Sequence, residues 1–96
     1  MNPSFFVYIL TDKGRKTLYI GVTNDLAKRL WEHRNPEKVS FSQQYHCIVL
    51  VYYEQFPDPQ SAIAREKQLK SWRREKKDAL IESMNPRWEE LSADWF

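Results

Sequence analysis

Two short segments near the start of the chain, Phe5-Phe6-Val7-Tyr8-Ile9-Leu10 and Thr17-Leu18-Tyr19-Ile20-Gly21-Val22, are rich in β-branched and aromatic residues and flank the turn-like stretch Thr11 to Lys16. This pattern predicts a β-hairpin. If Leu10 and Thr17 close the loop, the antiparallel register sets Tyr8 directly opposite Tyr19, and opposed residues share a face. Phe5, Val7 and Ile9 then join Leu18, Ile20 and Val22 on a strongly apolar face. Phe6, Tyr8, Thr17, Tyr19 and Gly21 fall on the other. A hairpin with one greasy face must be covered.

The rest of the chain supplies the cover. Thr23-Asn24-Asp25 offers an N-cap for a helix running to about His33, and Asn35-Pro36 stops it. Glu37 to Tyr45 reads as a polar loop. The nearly unbroken apolar run from Cys47 to Glu54 reads as a buried third strand. Pro57-Asp58-Pro59 ends that strand, and Asp58 as N-cap with Pro59 as first helical residue starts a helix through about Trp72. A third helix is expected over Arg74 to Met84, terminated by Asn85-Pro86. The order β-β-α-β-α-α predicts a small α/β (α+β) sandwich, a sheet flanked by helices. At 96 residues there is room for a single domain, with a core of about residues 4–85 and an acidic, aromatic tail over 86–96.

Cys47 is the only cysteine, so neither an intrachain disulfide nor a cysteine-based zinc site can form. A reducing, cytoplasmic setting fits. No apolar run approaches the ~20 residues of a membrane span, so no membrane anchor is expected. Charge is unevenly distributed. Arg65 to Lys77 carries seven cations against Glu66 and Glu75, whereas from Glu82 onward acids outnumber the lone Arg87.

Several residues could carry chemistry. Tyr8 and Tyr19 share a face, and in a hairpin taken alone cross-strand aromatic packing is the bland account of them. A phenol is a poor base unless a nearby cation favours its anion. Gly21 interrupts a good strand, where glycine marks a bulge or a close approach. Arg29 and His33, four apart, form one ledge at the margin of a helix stripe made by Leu26, Ala27, Leu30 and Trp31. A solvated helix flank is the bland account of that pair, and a guanidinium that grips phosphate is the sharper one. Glu66 lies in the mostly apolar stripe of Ala62, Leu69 and Arg73, where a charge needs a partner. That partner is Lys70 or Arg73 in an ion pair, or a hard metal ion. His46, at a strand start, reads as structural.

The segments Phe6-Val7-Tyr8 and Tyr19-Ile20-Gly21, followed by Arg29, His33 and Glu66, resemble the GIY-YIG nuclease superfamily from Phe6 to about Asn85, and its small stand-alone bacterial members in particular. Phe6 stands where the family motif has its first glycine. The resemblance implies a three-stranded antiparallel sheet and a divalent-metal-dependent endonuclease that hydrolyses phosphodiesters of DNA, or of RNA. It implies one Mg²⁺ or Mn²⁺ bound through Glu66, Arg29 on the scissile phosphate, and Tyr8 acting on the attacking water with Tyr19 and His33. The two tyrosines can exchange roles. Gly21 would leave room for the phosphate, and Asn85 matches an asparagine that orders the site in several members.

Lys70, Arg73 and Arg74 could add sequence-independent contacts to the nucleic-acid backbone. An accessory protein partner is compatible with the chain, and the separate DNA-binding domain that family nucleases commonly carry, together with Phe6 in place of glycine, keeps a non-cleaving reading open. Two alternatives stand beside the nuclease: a nucleic-acid-binding module of the same fold with little cleavage, and a protein-interaction domain using the tail from Trp88 to Phe96.

Overall fold

A computed structural model describes residues 4–35 and 47–95. The polar loop expected over Glu37 to Tyr45, and His46 after it, lie outside the described residues. The elements follow the expected order: β1 (Phe5–Thr11), β2 (Leu18–Thr23), α1 (Leu26–Arg34), β3 (Val49–Phe56), α2 (Pro59–Lys70) and α3 (Arg74–Met84). The sheet is antiparallel with β1 central, in the order β2-β1-β3.

The hairpin register differs from expectation by two residues. Tyr8 faces Gly21, Leu10 faces Tyr19, and the last pair is Thr11 with Leu18. The cause is Asp12. Its Oδ1 accepts hydrogen bonds from the backbone amides of both Lys16 and Thr17, each at 2.8 Å, which holds Thr17 in the loop. Because the slip is an even number, every side chain keeps its face.

One face of the sheet carries Val7, Ile9 and Ile20 under α2 and α3, packed on Ala62, Leu69 and Ile81. The other carries Tyr8, Leu10 and Leu50 under Leu26 and Leu30 of α1. Asp25 caps α1 by accepting from the Lys28 amide, and Asp58 caps α2 by accepting from Ser61, with Pro59 in the first turn. Arg65 of α2 donates to both carboxylate oxygens of Glu54, which also accepts from the Tyr52 hydroxyl, tying α2 to β3. Among the described residues no helix is long and apolar enough to cross a membrane.

β3 contains a bulge. Ile9 pairs with Tyr52 but Leu10 pairs with Leu50, leaving Val51 as the extra residue, so Val51 and Tyr52 both enter the same core. The freed Val51 carbonyl accepts from Asn85 Nδ2 at 3.0 Å. Asn85 also donates to the Glu89 carbonyl and accepts from the Glu89 amide, which turns the chain back along β3.

The tail is thereby part of the fold. Leu91 donates to the Leu50 carbonyl, Glu90 accepts from the Leu50 amide and from Arg34 at 2.8 Å, and Trp88 is buried. The protein-interaction alternative would therefore have to use a segment that is partly packed against β3. Trp88 and Glu90 are used internally, whereas Glu89, Asp94 and Trp95 are exposed, Trp95 standing edge-on to Tyr53.

Candidate active site

Tyr8 lies at the centre of β1 and is 1% exposed. Its ring covers Gly21 so closely that a Cβ on that glycine would stand 2.5 Å from the phenol oxygen and 2.6 Å from Cζ. Gly21 therefore shapes the site by admitting the tyrosine itself, and it is buried. Phe6, two residues earlier, pairs regularly with Thr23 and Gln55 and packs edge-on against Tyr53. The strand geometry leading to Tyr8 is undisturbed by a phenylalanine at that position.

Tyr19, shifted along the same face, sits with its ring centroid 6.2 Å from that of Tyr8 and 4.8 Å from that of His33. The register correction leaves the two phenols diagonal neighbours, a spacing aromatic rings can bridge. Tyr19 is 40% exposed, so the cluster opens to solvent through it.

His33 comes up from α1. Leu26, Leu30 and His33 form the buried stripe, and Trp31, expected in it, is exposed. The ring of His33 has taken the inward place because positions 26, 30 and 33 align on a 3.6-residue period. Its Nε2 lies 3.5 Å from the Tyr8 hydroxyl, a long, buried contact. One turn earlier Arg29 is half-exposed, with Nε 3.6 Å from Glu32.

Burial pushes the Tyr8 phenol well above its ordinary pKa, helped by Tyr19 and by the negative charge of Glu66, and opposed by Arg29. Burial pushes His33 below the usual imidazole value, and the Arg29 guanidinium acts in the same direction. Near neutral pH the pair is a protonated phenol beside an uncharged imidazole. With Nε2 unprotonated, that imidazole accepts from the phenol.

Glu66 approaches from the opposite layer. Ala62 and Leu69, fully buried, fix the inward face of α2, and Glu66 lies between them with its side chain 20% exposed. Its Oε2 is 3.1 Å from Lys70 Nζ, so Lys70, and not Arg73, is the ionic partner. The acid acts on Tyr8 through its field.

A family model described as the GIY-YIG catalytic domain matches residues 4–78. The chain belongs to the GIY-YIG family. It is similar to a UPF0213 protein of Bacillus pumilus, 38% identical over 83 residues that cover 86% of this chain and 82% of the relative. A UPF0213 protein of Haloquadratum walsbyi is 35% identical, over 85% of this chain and 91% of its own. The solution NMR structure of a UPF0213 protein from Bacillus halodurans superimposes with a TM-score of 0.58 at 25% identity, covering 95% of this chain and 97% of that one. The family is a nuclease family. The names of these relatives assign no activity.

Within this GIY-YIG domain the basic residues expected to face nucleic acid divide into two kinds. Arg74 is committed internally: its guanidinium donates to the Arg15 carbonyl (2.8 Å), the Lys16 carbonyl (2.7 Å) and Asp78 (2.7 Å). It clasps the hairpin loop, where Arg15 has a positive φ of 58°. Arg73, at the N-cap of α3, is exposed and makes no side-chain capping bond. Lys70 is exposed at its tip and paired with Glu66. Asn85 is occupied with the bulge and tail.

Proposed function

We propose that this chain is a divalent-metal-dependent endonuclease that hydrolyses phosphodiester bonds, with DNA as its substrate class. The observation that carries the reading is the convergence on one buried phenol of a neutral imidazole at 3.5 Å, a second tyrosine, and the opposing fields of Arg29 and Glu66. Packing alone does not call for a histidine on the buried stripe of α1 within 3.5 Å of a tyrosine hydroxyl.

In this reading Arg29 binds a non-bridging phosphate oxygen. Tyr8 and Tyr19 line the approach of the attacking water. Tyr8 receives the water's proton as its own passes to His33 Nε2, so no free phenolate is needed in the resting protein. Tyr19, being the more exposed, orients the water or the phosphate.

Glu66 is the residue suited to Mg²⁺ or Mn²⁺. Among the described residues no three His, Cys, Asp or Glu side chains converge. In this reading Glu66 supplies a single carboxylate, as in magnesium sites completed by water and substrate phosphate. The Lys70 ammonium 3.1 Å from that carboxylate is consistent with a position that takes a cation. When bound, the ion would neutralise charge developing on phosphate and leaving oxygen.

The test is cleavage of single-stranded, duplex and branched DNA, and of RNA, with Mg²⁺ or Mn²⁺ against chelator. Metal-dependent cleavage of a DNA substrate supports the reading. Binding that weakens steeply with salt, without cleavage of any substrate, favours the binding-module alternative.

A further inference from the structure

We propose that Lys70 is a stand-in cation on Glu66 that is handed to substrate phosphate when nucleic acid binds, so that one lysine couples metal binding to nucleic-acid binding. The inference rests on the nuclease reading of Glu66. It concerns Lys70, whose role in that reaction is otherwise a generic backbone contact.

The ion pair is asymmetric. Glu66 is 20% exposed and is fixed by a helix whose neighbouring Ala62 and Leu69 are fully buried, whereas the Lys70 side chain is 54% exposed and reaches in from solvent. The carboxylate stays and the ammonium can leave. Glu66 is also the only acid within α2, and Arg65, the cation beside it, is already turned to Glu54 at 2.9 Å. Lys70 is therefore the α2 cation that meets Glu66.

A divalent ion must use the same carboxylate oxygens. An ammonium about 3 Å from one of them would lie within a few ångströms of the dication and repel it. The two cations compete. Metal affinity in the free protein is lowered by the factor needed to displace Lys70. The released ammonium, on its flexible stem, is then available to a backbone phosphate of the bound nucleic acid, which satisfies it as a point-charge partner. Nucleic acid thus removes the competitor and tightens metal binding. By linkage the metal tightens nucleic-acid binding by the same factor.

The experiment uses the full chain carrying Tyr8→Phe, which keeps the substrate intact. Mn²⁺ affinity is read from loss of the free-ion electron paramagnetic resonance signal. DNA affinity is read by fluorescence anisotropy of a short labelled duplex, with and without Mn²⁺. Adding Lys70→Gln is expected to tighten Mn²⁺ binding in the absence of DNA about two- to fivefold, the scale of a partly exposed ion pair. It should also reduce the Mn²⁺–DNA coupling factor by the same amount. Lys67→Gln makes the same charge change on α2 without the ion pair and should produce neither effect. If Lys70→Gln does no more than Lys67→Gln while Glu66→Gln still abolishes Mn²⁺ binding, the handover is overturned and the nuclease reading stands. If Glu66→Gln leaves Mn²⁺ binding unchanged, the metal reading of Glu66 fails and the handover fails with it.

Discussion

The Tyr8 ring lies across Gly21, its hydroxyl oxygen 2.5 Å from where a Cβ on that glycine would be. Gly21, the β2 partner of Tyr8, is also the residue under its ring, and it therefore cannot carry a side chain while Tyr8 stays in place. Gly21→Ala should force Tyr8 out of its rotamer and cost about 1–3 kcal/mol, the scale of overpacking a closed core. Chemical denaturation measures the cost. A variant as stable as wild type would mean that Tyr8 is free to move aside.

Arg74 predicts a second, independent loss. Two of its hydrogen bonds join α3 to the hairpin loop and the third, to Asp78, holds the guanidinium in place, so Arg74→Ala should lower stability by about 1–2 kcal/mol, discounted for partial exposure. Salt-dependent DNA binding should fall by more in Arg73→Ala than in Arg74→Ala, because only Arg73 presents an uncommitted guanidinium in this reading. Denaturation and a salt titration of DNA affinity separate the two effects.

Asn85→Ala should be more disruptive than a helix-stop residue would suggest. It strips the partner from the Val51 carbonyl at the β3 bulge and from both backbone groups of Glu89. Loss of about 1–3 kcal/mol is expected for a buried acceptor left bare. Faster amide exchange in residues 88–92 should accompany it, since that segment is held to β3 through this side chain.

His33 sets a pH dependence of stability. Its folded pKa lies below the ordinary 6.5, chiefly through burial and then through Arg29, with Glu32 opposing. The unfolded chain therefore binds the proton more readily. Stability is complete above about pH 6.5 and is lost as pH falls through that value toward the folded pKa. His33→Leu should flatten this slope between pH 7 and pH 5 in denaturation experiments. A wild-type slope of opposite sign would contradict the buried, neutral imidazole.

Much of this arrangement was legible in the sequence, for identifiable reasons. Asp58-Pro59 and Asn85-Pro86 bound their helices through local chemistry, and the alternating strands fix faces by period. The hairpin register was not legible, because it depends on Asp12 capturing two amides across the loop, a tertiary choice that residue type alone leaves open. An even slip preserved the faces, so Tyr8 and Tyr19 still share one. Trp31 and His33 exchanged expected places because hydrophobicity ranks tryptophan as the inward residue, while helical geometry puts position 33 over the phenols. The bulge at Val51 and the folded tail arise from pairings of Asn85, Glu90 and Arg34 over long sequence separations, which no local pattern announces. The ion pair at Glu66 was expected as one of its options, and the structure selects Lys70 over Arg73.

In the proposed mechanism Tyr8 and Glu66 serve one phosphodiester site. Single-turnover cleavage of DNA in Mg²⁺ or Mn²⁺, comparing wild type with Tyr8→Phe and Glu66→Ala under conditions where all three are folded, tests it most directly. Wild type should cleave in a metal-dependent manner, with the rate reduced on the order of 10²-fold or more in each variant and DNA binding by Tyr8→Phe retained. Wild-type cleavage that neither substitution slows would contradict it.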